Sequence, residues 1–474
     1  MERMHIRLIR LGIRLFLAAI LFPVCPLVSV AADKPSAPRQ PGVPPQVISF
    51  IREKERYIRT LAGEFKLEFP EELVEFLAAA RKGDESQLDD LYAVLRDKYP
   101  AGSASGDEEK FGAVIWQSAL EILLALQEFV RTDPKYALAM GRDIIQSMPR
   151  GSIYFGGTDA GRGIVTALSA APANGDPVFT IAQSALASGR YLTCLRTMFE
   201  GQIFTPTSAD SQRAFQEYLA DAQRRLEHDQ KFPQEPRQIK PGEDVRKTGN
   251  GVVQVSGQVA VTGINGAIVK AIFDQNSDRQ FFVEENYALD WMYPHLTPHG
   301  LIMKLNRKPF ERIPPEIVQK DRQFWSEQQA RCLGKWLTPE TPVKEVCRVA
   351  EKLFVAKDYQ GFSGDQEFLK NERACRNYSR LRTSIGGIYA WRLKNSNDAN
   401  EKKQMADEAD FAFRQAFAFC PYSPEAVFRF AALLNSAKRY DDALLIVELA
   451  GKLDVGSANF TDAAKEIRRV KAQQ

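Results

Sequence analysis

Gly156-Gly157-Thr158-Asp159-Ala160-Gly161-Arg162-Gly163 follows a short apolar run and precedes a segment with helical spacing, so it reads as a strand end opening into a helix. Backbone N–H groups and the positive end of a helix can hold an anion at such a turn. Gly156, Gly157 and Thr158 would offer those N–H groups. Asp159 has the chemistry to bind a sugar hydroxyl or act as a base, Arg162 to clamp a carboxylate or phosphate, and Tyr154 and Tyr191 would wall the pocket. The spacing departs from the dinucleotide fingerprint, and the Lys-Ser/Thr pair of a nucleoside-triphosphate loop is missing. The same residues equally suit a tight capped turn in which Asp159 and Arg162 pair with each other.

Other constellations point to less. His295 and His299 stand four apart, the helical spacing of two zinc ligands, but Pro294 and Pro298 oppose a helix there; a rigid loop with hydrogen-bonding histidines is expected. Asp274, Asn276, Asp278 and Glu285 echo a calcium loop, with Arg279 in the glycine position and a strand-like Phe281-Phe282-Val283 following, so a helix-to-strand turn fits better. Glu284 and Glu285 are adjacent, and neighbours on a strand face opposite ways. No nucleophile elbow, HExxH or Cys-x-x-Cys occurs. The expectation is a chain without catalytic residues, cofactor or metal. With 63 basic and 60 acidic residues, no nucleic-acid partner is expected either.

Arg3, Arg7, Arg10 and Arg14 precede an apolar stretch, Leu15–Val30, and Val30-Ala31-Ala32 fits a signal-peptidase site, so residues 1–32 read as a signal peptide and the mature chain as starting at Asp33. The expected location is secreted or periplasmic; the alternative is an anchor in the inner membrane through residues 15–30. The other five cysteines, Cys194, Cys332, Cys347, Cys375 and Cys420, are too few for a disulfide framework, leaving either one bridge among Cys332, Cys347 and Cys375 or small buried thiols.

The elements that must position these groups form a mixed architecture: N-terminal helices, a central α/β domain with a mostly parallel sheet, and a C-terminal helical domain. Residues 33–46 carry five prolines and read as a linker, 47–132 as helical, 133–312 as the α/β domain and 313–474 as the helical domain. Strands are expected at Gly151–Gly157, Asp176–Gln183, Ile203–Pro206, Gln280–Glu284 and Leu301–Asn306, the last two as an antiparallel edge. Residues 228–251 read as a charged surface loop and Leu393–Gln404 as a long turn. The apolar helix Val114–Val130 is expected between domains. Ala409, Ala416 and Pro421 recur thirty-four positions on as Ala443, Ala450 and Val455, the period of tetratricopeptide helix pairs, in which small residues allow close helix approach.

The segments GSIYFGGTDAGRGIVTAL, VFTIAQSALASGRYL, FFVEENYALDWMYPHLTPHGLIMKLNR and AFAFCPYSPEAVFRFAALLNSAKRYDDAL together resemble a family of bacterial envelope proteins of unknown function that combine a small α/β domain with C-terminal tetratricopeptide-like helices. They are also similar to the soluble C-terminal part of polytopic membrane proteins grouped with protein O-mannosyltransferases, where the position of Gly156–Asp159 carries a comparable Gly/Asp-rich strand end. The resemblance covers roughly residues 135–460. The chain lacks the multi-span region in which such transferases hold their donor, so the resemblance implies a cell-envelope location and glycan handling but no transferase activity. The expected function is an exported, non-enzymatic scaffold accessory to glycan assembly, binding a protein partner through its C-terminal repeats. The alternative is a glycan-binding protein or glycosyltransferase-related enzyme using the 156–163 loop.

Overall fold

The computed structural model describes residues 42–99, 105–130, 133–156, 159–169, 177–248, 251–284, 289–454 and 458–473. Residues 1–41, which hold the expected signal peptide and most of the expected linker, and Gly157, Thr158, Glu285 and Val455 lie outside them, as do the side chains of Asp159 and Arg162. Among the described residues no helix is long and apolar enough to cross a membrane.

Five helices open the described chain: α1 (Pro45–Phe65), α2 (Glu71–Lys82), α3 (Glu85–Lys98), α4 (Gly106–Phe129) and α5 (Lys135–Ser147). Helix α1 starts inside the expected linker because Pro45, with its fixed φ and missing N–H, is at home in a first helical turn. Helix α4 is apolar on more than one side because it touches α1 and α3 on one flank and later helices of the α/β layer on another. Its polar residues are met inside: Lys54 of α1 pairs with Glu121 at 2.6 Å, and Gln117 donates to Glu121 at 2.9 Å.

The layer that follows runs β1 (Ile153–Gly156), α6 (Asp159–Leu168), β2 (Phe179–Ala182), α7 (Gly189–Phe199), α8 (Ser208–Lys231), β3 (Asp244–Lys247), β4 (Val253–Ser256), α9 (Gln258–Gln275), β5 (Phe281–Val283), β6 (Leu296–His299) and β7 (Ile302–Leu305). The main sheet has the order β2-β1-β5-β7-β6. Pairs β1–β2 and β1–β5 are parallel, whereas β5–β7 and β7–β6 are antiparallel. The sheet is therefore mixed rather than mostly parallel, and the expected antiparallel edge gains a strand, β6, from the stretch read as a rigid loop.

Two further expectations need correction. Ile203–Pro206 is not a strand, because the Asn276 amide takes up the Phe204 backbone, accepting from its N–H at 2.7 Å and donating to its carbonyl at 3.1 Å. Residues 228–251 are not all loop: α8 runs to Lys231, and β3 pairs with β4 as an antiparallel hairpin in register Asp244↔Ser256. That hairpin and helices α8 and α9 share a small core of Ala222, Val255 and Ala260. Above it Glu243 is fully buried, held by Arg225 and by the Tyr218 hydroxyl at 2.5 Å.

Helices alone follow: α10 (Pro315–Leu333), α11 (Val343–Ala350), α12 (Gln366–Lys370), α13 (Glu372–Asn395), α14 (Ala399–Phe419), α15 (Pro424–Ser436), α16 (Tyr440–Leu453) and α17 (Ala458–Ala472). The expected long turn at Leu393–Gln404 shrinks to Ser396–Asp398, because Asp398 accepts the Glu401 N–H as an N-cap and lets α14 begin early. Consecutive helices from α13 to α17 pack on one another, and Ala409, Ala416, Ala443 and Ala450 are fully buried. Gly386 allows α13 and α14 to cross closely, since a Cβ there would lie 2.8 Å from the Phe413 ring. The five cysteines are all buried and unpaired, so the buried-thiol alternative holds among the described residues. Burial pushes the Cys332 thiol up to about 11 and those of Cys347 and Cys420 up to about 12. One apolar cluster extends from Val47 to Ile467.

Candidate functional site

Strand β1 is flanked by parallel strands on both sides, and the chain steps from β1 to β2 in one direction and then returns past β1 to β5. Strand order thus reverses beside β1, and the carboxyl end of such a strand is where α/β sheets commonly bind ligands. Gly156 is the residue at that end, so the first residue of the sequence-selected segment stands at the switch point. The side chains assigned to it behave otherwise. Tyr154 is wholly buried in the strand, and Tyr191 on α7 is 2% exposed with its hydroxyl accepting the Ala182 N–H at 2.7 Å. Tyr191 therefore pins the end of β2 and does not wall a pocket. Gly163 has a packing reason as well: a Cβ there would lie 2.9 Å from the Leu124 carbonyl oxygen, where α6 crosses α4.

Polar side chains that the sequence reading passed over gather near these strand ends. Gln183 follows β2 directly, Glu284 follows β5 with its N–H donating to the Phe155 carbonyl at 3.0 Å, and Asn265 of α9 donates to the Ser184 carbonyl at 3.2 Å. All three are buried. The one sequence signal for Asn265 is its isolation as an amide within the apolar run Val259–Phe273.

The remaining motifs are engaged with the backbone or with neighbours. The His295 ring meets the Asn306 carbonyl at 2.8 Å and the His299 ring meets the Ser147 carbonyl at 2.8 Å, so both act as the hydrogen-bonding histidines expected. Asp274 pairs with Lys270 at 2.8 Å and Asp278 with Arg279 at 3.3 Å, while Asn276 holds Phe204, so these three side chains do not converge as a calcium loop.

A second region is built on α13. Its inner side is locked by a buried network in which Arg382 donates to Asp321 at 2.8 Å and to Gln415 at 2.9 Å, and the Tyr389 hydroxyl donates to Asp321 at 2.8 Å. Burial, with the Asp321 charge second, raises the Tyr389 phenol well above its ordinary value. At the helix end Arg392 donates to the carbonyls of Pro294, Phe310 and Glu311, tying α13 to the sheet layer. With its rotation so fixed, α13 presents Arg373, Arg376, Arg380, Gly387 and Trp391, spaced by three, four or seven residues, on the side opposite Arg382. Each is partly exposed.

Neighbours shape that side. Arg376 pairs with Glu372 at 2.9 Å and lies over the Tyr422 ring at 4.9 Å; Arg380 approaches Glu425 of α15 at 3.9 Å; Arg373 pairs with Glu128. Tyr293, from the turn before β6, stacks on Trp391 with ring centres 5.4 Å apart and planes 9° from parallel. Arg429 of α15 lies against Gly387, where an added Cβ would stand 2.8 Å from its guanidinium. At the amino end of α13 the side runs into a shallow crevice bordered by Tyr136, Arg373 and Asn377.

No protein-family model, curated protein or solved structure matches the chain. A functional reading therefore rests on these two regions of the chain itself.

Proposed function

We propose that this chain is an exported, non-enzymatic binding protein of the cell envelope, whose C-terminal helices dock a protein partner while the α/β layer braces them. The observation that carries the reading is the outward side of α13: a row of partly exposed arginine, glycine and tryptophan on a helix whose other side is clamped by the buried Asp321–Arg382–Tyr389 network. A rigid helix displaying aromatic and guanidinium groups has the composition of a protein-recognition surface. The test is a photo-crosslinking residue placed at Asn377 on this side or at the exposed Gln234 as a control, in cells of the native host. A discrete adduct with one envelope protein is expected from position 377 only; equal labelling at both positions would overturn the reading.

A second reading has an observation of its own. The side-chain oxygens of Gln183 and Asn265, residues only 2% and 4% exposed, have no hydrogen-bond donor among the described residues, and both stand near the carboxyl end of β2. Buried acceptors of this kind suit a hydroxyl-rich ligand, which is the glycan-binding alternative. Calorimetric titration with mono- and oligosaccharides should then give heat that Gln183→Leu and Asn265→Leu remove. A wild-type protein that gives none would exclude this reading.

A further inference from the structure

The chemistry of the docked segment can be taken further, on the premise that the outward side of α13 is the docking face. Four arginines serve that face, and three are matched: Arg373 by Glu128, Arg376 by Glu372 and, more loosely, Arg380 by Glu425. Among the described residues Arg429 pairs with no carboxylate and donates to no hydrogen-bond acceptor. It is held in place by shape, since the missing side chain of Gly387 is what lets its guanidinium lie on α13. Beside it stands the Tyr293–Trp391 stack, a flat apolar shelf. Burial raises the Tyr293 phenol; the Arg429 charge lies close enough to oppose that, and the Asp290 charge adds to it.

We propose that the face takes an acidic segment of a partner protein in which a carboxylate side chain, adjacent to an aromatic or aliphatic one, pairs with Arg429 while its neighbour covers Tyr293 and Trp391. The acids along this face decide against polyanions: a nucleic-acid backbone or polyphosphate would meet Glu425, Glu372 and the Asp290 charge near Tyr293, whereas a single carboxylate can pair with Arg429 alone. A planar guanidinium beside an aromatic shelf also suits a carboxylate with an apolar neighbour better than a bare inorganic anion. From Trp391 to Asn377 the helix advances about 21 Å, a span that an extended segment of about six residues covers.

The experiment uses the full chain and a fluorescein-labelled decapeptide of alternating glutamate and phenylalanine, followed by anisotropy. Saturable binding is expected, weakened about tenfold or more by Arg429→Glu and by the size-preserving Arg429→Gln, and unchanged by Arg237→Glu on the distant 232–243 segment. Gly387→Ala, which displaces the guanidinium, should weaken it several-fold. Unaltered melting of the Arg429 variants shows that the loss is one of binding. Equal affinity for the lysine–phenylalanine counterpart, displacement of the peptide by equimolar inorganic phosphate, or indifference to Arg429→Gln would each overturn the proposal. Where Arg429→Gln is without effect but the position-377 adduct persists, the acidic chemistry fails and the docking face stands; where the adduct is also absent, both fail.

Discussion

Asp321→Ala is expected to destabilise the chain by about 3–5 kcal/mol, measured as a drop in denaturant midpoint at constant slope. Asp321 and Arg382 are buried, with side chains 1% and 0% exposed, and joined at 2.8 Å. Removing the carboxylate strands a guanidinium in the core and takes away the acceptor of the Tyr389 hydroxyl. The hydrogen bond from Arg382 to Gln415 cannot supply the missing charge. Joint replacement of Asp321 by Leu and Arg382 by Met should recover much of the loss, because a well-packed apolar pair has no unpaired ion to desolvate. An unchanged midpoint for Asp321→Ala would show that the network contributes nothing, and the argument that it fixes the rotation of α13 would go with it.

Glu243→Ala should release the β3–β4 hairpin at a cost of about 3 kcal/mol, seen as faster amide exchange confined to residues 215–256. Arg225, 11% exposed, is left without its principal partner, and Asp221 at 2.8 Å compensates only from a half-exposed position. The same group makes the hairpin acid-sensitive. Burial pushes the Glu243 carboxyl up, but hydrogen bonds from Arg225, Tyr218 and the Lys240 N–H outweigh it and bring the group from 4.5 to about 2. A carboxyl depressed on folding contributes fully above its unfolded value and loses that contribution as pH falls through its folded one. Protection of the hairpin should accordingly decline between about pH 4.5 and 2, and Glu243→Gln should be flat over that window. A wild-type profile equally flat would remove Glu243 from the account.

How much of this was legible in the sequence depended on whether a residue's partner was near in sequence. Helix α4 was readable because Val114–Val130 is mostly apolar, and the end of β1 because glycines follow an apolar run. The β3–β4 hairpin was not: DVRK and VQVS are four residues each, and Val253 and Val255 give only one full period of alternation. Ile203–Pro206 misled because an apolar run implies a neighbouring strand, yet a side-chain amide 72 residues away satisfied its backbone. At the site, Gly156 was found where expected, whereas Tyr191 was misassigned: an aromatic near a strand end can line a pocket or close it, and only the hydrogen bond to Ala182 decides. Gly386 and Gly387 are adjacent on α13. They serve different neighbours, Phe413 for the first and Arg429 for the second, a division that helical periodicity does not carry. The Asp321–Arg382 pair, 61 residues apart, left no local mark at all.

The contacts that join the α12–α13 region to the N-terminal helices and the sheet layer bear on how the chain folds. Lys135 meets Asp365 across 230 residues, Arg373 meets Glu128 across 245, and Arg392 reaches the Pro294 carbonyl across 98. Closing loops of this length carries an entropic cost that must be met before the contacts return anything, so such pairings form late. The shelf of Tyr293 on Trp391 belongs to this late group, since one ring comes from each layer. A chain still folding, or a fragment holding only the C-terminal helices, has Trp391 and Arg429 but lacks the opposing ring. The shelf of the proposed docking face is thus complete only in molecules whose sheet layer and C-terminal helices have come together.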